Sequence, residues 1–204
     1  MSVDVDERAA FTAAGRWFCN VVALVGDRWD QAGLGEWTVR DLVGHTSRAL
    51  STVATYLEAE PGRLEVESPT AYFRASVQAD SAAIAERGRA AGRALGDDPV
   101  KAVADLDAEV QAKVAGAPDE AFVGTVAGGM RLIDYLPTRT FELVVHTADL
   151  AVALGVAADP PDAAARSSLR LAGELILERG AAPAVLHALT GRRPLEPTFT
   201  LLGG

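Results

Sequence analysis

Two histidines and a glutamate carry the chemistry this sequence offers. The chain has three histidines, and His45 and His146 sit in strongly helical stretches. Glu142 precedes His146 by four residues, which on a helix puts both on one face, a turn apart. Glu142 and His146 could therefore grip one metal ion together, with His45 supplied from a facing helix. Two imidazoles and one carboxylate leave a coordination position open, as catalytic zinc sites do.

Spacing alone is a weak signal. With 28 acidic residues in 204, any histidine has roughly one chance in seven of an acid four positions upstream. An ordinary pair of that kind adds only ~0.2–0.5 kcal/mol. The setting is more informative, because Phe141 to Leu154 is mostly apolar and Glu142, His146 and Asp149 draw a polar line through it, with Arg139 one turn earlier. Facing a bundle interior, those charges need partners or a metal; facing solvent, they are an ordinary polar stripe.

The other candidates have bland readings beside them. Asp41 also lies four residues before an imidazole, His45. It could be a ligand, an acceptor for the ring or the cap partner of Thr38, and the cap is the preferred reading. Asp149 could orient His146 through its other ring nitrogen, or simply be exposed. His187 has no acid in helical register and reads better as a structural histidine than as a ligand. Cys19 falls on an apolar stripe and reads as a small hydrophobe. No Gly-rich phosphate loop, nucleophile elbow or CxxC motif occurs.

The elements that must position these residues read as helices. Residues 4 to 26 form the first, ended by Gly26. After a loop from Arg28 to Trp37, Thr38 and Asp41 make a capping box that opens a second helix to about Leu57. A polar turn at Pro61-Gly62 follows. Ser68-Pro69 starts a third helix to about Leu95, and Asp98-Pro99 a fourth from Val100 to about Val114. Ala115 to Met130 reads as an extended connection with Gly128-Gly129 as its bend. A fifth helix spans about Ile133 to Leu154, and Pro137 falls in its first turn if Asp134 is the N-cap. A sixth runs from Pro160-Pro161 to Arg179, and a short seventh from Pro183 to Thr190. No repeat or linker marks a domain boundary, so the expectation is one all-α domain over residues 1–204: an antiparallel bundle with its core at about 4–155 and a helical extension at 156–204.

Composition agrees. Hydrophobic residues make up 49% of the chain, enough for a substantial core. The net charge of −9 argues against nucleic acid as partner, which would need a basic face. The first residues lack the basic and apolar regions of a secretory signal, and no apolar run approaches a membrane span. The single cysteine can form no intrachain disulfide, and a reducing cytoplasmic setting fits. All but Lys101 and Lys113 of the 19 basic residues are arginine, which hints at a G+C-rich genome.

At these residues the sequence resembles a known family. The run Gly35-Glu-Trp-Thr-Val-Arg-Asp-Leu-Val-Gly-His45 is similar to the pattern gWtvrDlvaH of the DinB-like superfamily, and most closely to its mycothiol-dependent maleylpyruvate isomerase-like branch. Arg139 to Leu150 resembles that branch's second motif, R-x-x-E-x-x-x-H-x-x-D-L, and Leu189-Thr-Gly-Arg192 resembles its ending. The resemblance implies a DinB-like four-helix bundle with a divalent metal, usually zinc, on His45, Glu142 and His146. It also implies thiol chemistry with mycothiol, the low-molecular-weight thiol of actinobacteria. The isomerases of the family carry a second, C-terminal α/β domain, whereas the fifty or so residues after the second motif here read as helices and a tail. The isomerase activity is therefore not carried over with the metal site.

Three functions follow as alternatives. In the first, a thiol loses its proton on the metal and attacks a small-molecule electrophile, with Arg139 or Arg48 holding an anionic group. In the second, a hydrolase, the metal activates water and Asp41 or Asp149 is the base. The third is a non-enzymatic metal-binding role. Zinc, nickel, iron and manganese all suit the donor set, and the oligomeric state stays open, a homodimer included.

Overall fold

The computed structural model describes residues 5–76 and 81–202. Its helices are α1 (Glu7–Val22), α2 (Val39–Leu57), α3 (Pro69–Ser76), α4 (Ser81–Ala94), α5 (Pro99–Gly116), α6 (Leu132–Leu154), α7 (Asp162–Glu178) and α8 (Ala182–Leu189). Strands β1 (Phe122–Thr125) and β2 (Gly128–Arg131) form an antiparallel hairpin before α6.

Four helices close a ring, in the order α1, α5, α2, α6. Thr12 bonds Gln111 and Cys19 lies against Val103, so α1 and α5 are antiparallel. Tyr135 bonds Thr52 while His146 meets His45, so α2 and α6 are antiparallel too. Across the pairs the neighbours run the same way: Arg28, just past α1, donates to the Leu154 carbonyl at the end of α6 (2.7 Å), and Lys113 late in α5 pairs with Glu58 at the end of α2. Parallel neighbours need long returns, and residues 58–98 with α3 and α4 provide one. Phe11, Phe18, Leu42, Leu50, Leu136, Leu143 and Leu150 are fully buried between the four.

Local chemistry explains most boundaries. The Asp6 side chain caps α1 by accepting from the Ala9 N–H (3.0 Å), and Gly26 turns the chain at φ 63°, although α1 itself stops at Val22. At α2 both arms of the capping box form, the Asp41 N–H donating to Thr38 Oγ1 (3.2 Å) and the Thr38 N–H to Asp41 Oδ2 (3.1 Å). Asp98 caps α5 as Asp6 caps α1, its side chain accepting from the Lys101 N–H (3.1 Å). Of the long third helix expected from Pro69 to Leu95, α3 and α4 are the two described parts, and residues 77–80 between them lie outside the described residues.

Two expectations are corrected. Residues 122–131 form a hairpin, and Gly128 and Gly129 belong to β2 rather than to its bend, which is Val126-Ala127. The glycines are needed for a close approach: the Glu65 and Val66 N–H groups both donate to the Gly129 carbonyl (2.9 and 3.1 Å), and a Cβ on Gly129 would fall 2.2 Å from the Arg63 carbonyl oxygen. The second correction is at α6, which starts at Leu132 straight from β2, with Arg131 as N-cap. Asp134 is inside the first turn and pairs with Arg131 (2.6 Å). Pro137 therefore lies beyond the first turn, where its missing N–H leaves the Ile133 carbonyl without its helical donor.

Outside the ring, α4 covers α2, and α7 covers α1 and α6. Helices α2 and α4 touch backbone to backbone, since a Cβ on Gly44 would fall 2.1 Å from the Gly92 nitrogen. Gly44→Val is expected to destabilise the protein by ~3 kcal/mol or more, read as a lower urea midpoint with unchanged m-value; an unaltered midpoint would mean that α4 can move away freely. Among the described residues no helix is long and apolar enough to cross a membrane.

Candidate metal centre

The polar line on α6 faces α2. The His45 and His146 rings meet edge to face, with centroids 4.7 Å apart and planes at 87°. His146 Nε2 lies 3.3 Å from Glu142 Oε2. His45, Glu142 and His146 each offer a ligand atom, and these atoms all lie within 4.8 Å of one another. That spread suits donors around a single ion, which sit about 2 Å from it on different sides. Side-chain exposure is 19% for His146 and 22% for Glu142, so the cluster is inside the bundle surface yet reachable.

Surrounding groups set each donor's protonation. Burial, followed by the neighbouring His146 charge, lowers His45 to about 4. It is thus neutral at physiological pH, the form that binds metals. Its Nδ1 is buried and has no hydrogen-bond partner among the described residues, and a ring in that condition is under-satisfied without a ligand. Burial works against charge on Glu142 as well, but the hydrogen bond from His146 and the Arg139 charge outweigh it and hold the carboxyl down at about 2. For His146, burial is outweighed by hydrogen bonds to Asp149 and Glu142, which raise it to about 9.

Asp149 takes the orienting place open to it in the sequence. Its Oδ2 lies 3.1 Å from His146 Nδ1. A proton held there leaves Nε2, the nitrogen facing Glu142, free for an ion. Asp149→Ala is expected to weaken zinc binding ~10–100-fold above pH 9, where His146 carries no competing proton, measured by competition with a chromophoric chelator; unchanged affinity there would make Asp149 a bystander.

The remaining candidates do not join the cluster. Asp41 is spent on the α2 cap. His187 is exposed on α8 rather than structural in a core. Cys19 is half-buried on α1, and burial together with Asp107 pushes its thiol up to about 12, so it is no thiolate. Arg48 is half-buried on α2 one turn past His45. Arg139 is buried, its guanidinium 5.2 Å from the Tyr72 ring centre and 5.0 Å from that of Tyr135.

Two contributions escaped sequence reading. Trp37 stacks on His45 with ring centroids 4.5 Å apart. Gly88 of α4 lies under both, since a Cβ there would come within 3.1 Å of Trp37 and 3.3 Å of His45. Trp37 stands in the motif around His45 but carried no signal of contact. Gly88 could not be placed without knowing that α4 crosses α2.

A sequence profile described as the mycothiol maleylpyruvate isomerase N-terminal domain matches residues 10–151, more than half of the chain and including His45, Glu142 and His146. No curated protein and no solved structure matches the chain.

Proposed function

Because the chain belongs to the mycothiol maleylpyruvate isomerase N-terminal domain family, we propose that it is a metal-dependent thiol transferase or isomerase. In this reading His45, Glu142 and His146 hold a divalent ion, zinc first. The thiol is mycothiol or a similar low-molecular-weight thiol, and the second substrate is a small electrophile. The convergence of these three donors from two facing helices is the observation that carries it.

Bound there, the ion would supply the Lewis acidity that a thiol with a pKa of about 8.5 needs to ionise at neutral pH. The protein supplies the rest. Neutral His45 and ionised Glu142 are ready to donate, and Asp149 fixes the His146 ring. Trp37 packs against one side of the His45 ring. His146 and Glu142 keep about a fifth of their side-chain surface exposed, and thiol and electrophile would approach from that side.

The test is elemental analysis of protein purified without a histidine tag, followed by assays with activated alkenes and epoxides with and without mycothiol. The expected result is about one zinc per chain and turnover that requires the thiol. Turnover without thiol would replace this reading by metal-assisted hydrolysis. Bound metal with no turnover of either kind would favour a binding role, and absence of metal would sink all three.

A further inference from the structure

We propose that Arg139 is an anion receptor beside the metal cluster, built to take a carboxylate of the electrophilic substrate. Calling that ligand a substrate rests on the function proposed above; the receptor itself rests on Arg139 and its surroundings.

Arg139 is 9% exposed and keeps its charge at any physiological pH. Of its five N–H donors, one is accounted for: Nε donates to Thr138 Oγ1 at 3.0 Å. Among the described residues no carboxylate is within ion-pair distance, and its terminal nitrogens reach no acceptor. Buried charges are normally paired because an unpaired one is costly. Two half-buried arginines of this chain follow that rule. Arg28 donates to the carbonyls of Leu24, Val25 and Leu154, and Arg8 to Asp119 and to the carbonyls of Val114 and Ala117. Arg139 is the more buried and the less satisfied.

Its neighbours explain why the donors stay free. Tyr72 and Tyr135 present ring faces to the guanidinium, which hold a cation but accept no N–H bond in the plane of the fork. The Tyr135 hydroxyl is directed to Thr52 (3.1 Å). Glu142, one turn along α6, lies close enough to feel the Arg139 charge, but its carboxylate is engaged with His146. A dication on the cluster would leave the surroundings of Arg139 still richer in positive charge. An arriving anion relieves this, and a carboxylate matches the planar fork with two oxygens. The flanking tyrosine faces favour that flat group over a tetrahedral phosphate.

The test titrates benzoate and inorganic phosphate into wild type, Arg139→Met and Arg139→Lys, each metal-free and zinc-loaded, by calorimetry. The metal-free arm separates Arg139 from any carboxylate bound by zinc itself. Wild type is expected to bind benzoate in both states and to prefer it to phosphate. Arg139→Met should weaken benzoate roughly 10–100-fold and leave zinc stoichiometry unchanged, with Lys intermediate. If the Met variant does not fold, the Nε–Hε NMR signal of Arg139 in wild type, assigned from its absence in the Lys variant, should move on adding benzoate. Equal benzoate affinity in wild type and Met variant, no binding by metal-free wild type, or a stationary signal would overturn the proposal, and preference for phosphate would overturn the carboxylate assignment. Zinc content is read on the same samples, so loss of the metal reading with benzoate binding intact, or the reverse, is recognised.

Discussion

His45→Ala is expected to weaken zinc binding by more than ~100-fold, beyond the upper end of what losing an outer hydrogen-bond partner costs a metal site, and to abolish thiol-dependent turnover. His45 is the one donor of the trio that α2 contributes; the other two come from α6. Without it the ion keeps two donors on a single helix face and loses the link between facing helices. The metal-free variant should fold. Truncation removes a buried, unpartnered Nδ1, which offsets part of the lost contact with Trp37. The measurable signature is therefore a split: the melting temperature in chelator stays near wild type, while the increase on adding zinc, present in wild type by mass action, disappears. Glu142→Gln should also lose the increase on adding zinc, but with a lower melting temperature in chelator, because its carboxylate is the partner of His146, and His187→Ala, exposed on α8, should change nothing. Retention of one zinc per chain by His45→Ala would remove His45 from the ligand set.

Much of this site could be read from the chain because its main spacing is local. A four-residue interval on one helix fixes the relation of Glu142 to His146 whatever the tertiary fold. The Thr38–Asp41 box is equally local, and reading it as a cap kept Asp41 out of the cluster, as its two hydrogen bonds bear out. The meeting of His45 with His146 is not local. It depends on α2 lying antiparallel to α6, which periodicity cannot specify and which the family motifs implied. The hairpin was hidden because its residues, Gly124, Gly128 and Gly129 among them, carry little strand propensity. Its pairing answers to a third segment, Arg63 to Val66, packing against Gly129. The place of Pro137 is hidden for a related reason. The rule for isolated helices puts it in a first turn, whereas β2 runs into α6 and starts that helix early.

Zinc affinity is expected to rise about tenfold per pH unit from pH 5 to 9 and to flatten above 9, with release of one proton per zinc near pH 7. The sign follows from which donors carry protons before the metal arrives. His146 is raised to about 9, so below that pH its proton must leave for Nε2 to serve as a ligand. Each unit below 9 multiplies the protonated excess by ten and divides the apparent affinity by the same factor. His45, lowered to about 4, and Glu142, held at about 2, are already deprotonated across this range and add nothing to the slope. Two ordinary histidines would behave differently, with no dependence above about pH 7.5 and a slope approaching two protons below about 6. Calorimetry of zinc binding in buffers of different ionisation enthalpy counts the protons directly. A count near zero at pH 7, or near two at pH 5.5, would show that Asp149 and Glu142 do not hold His146 in its charged form before the ion binds.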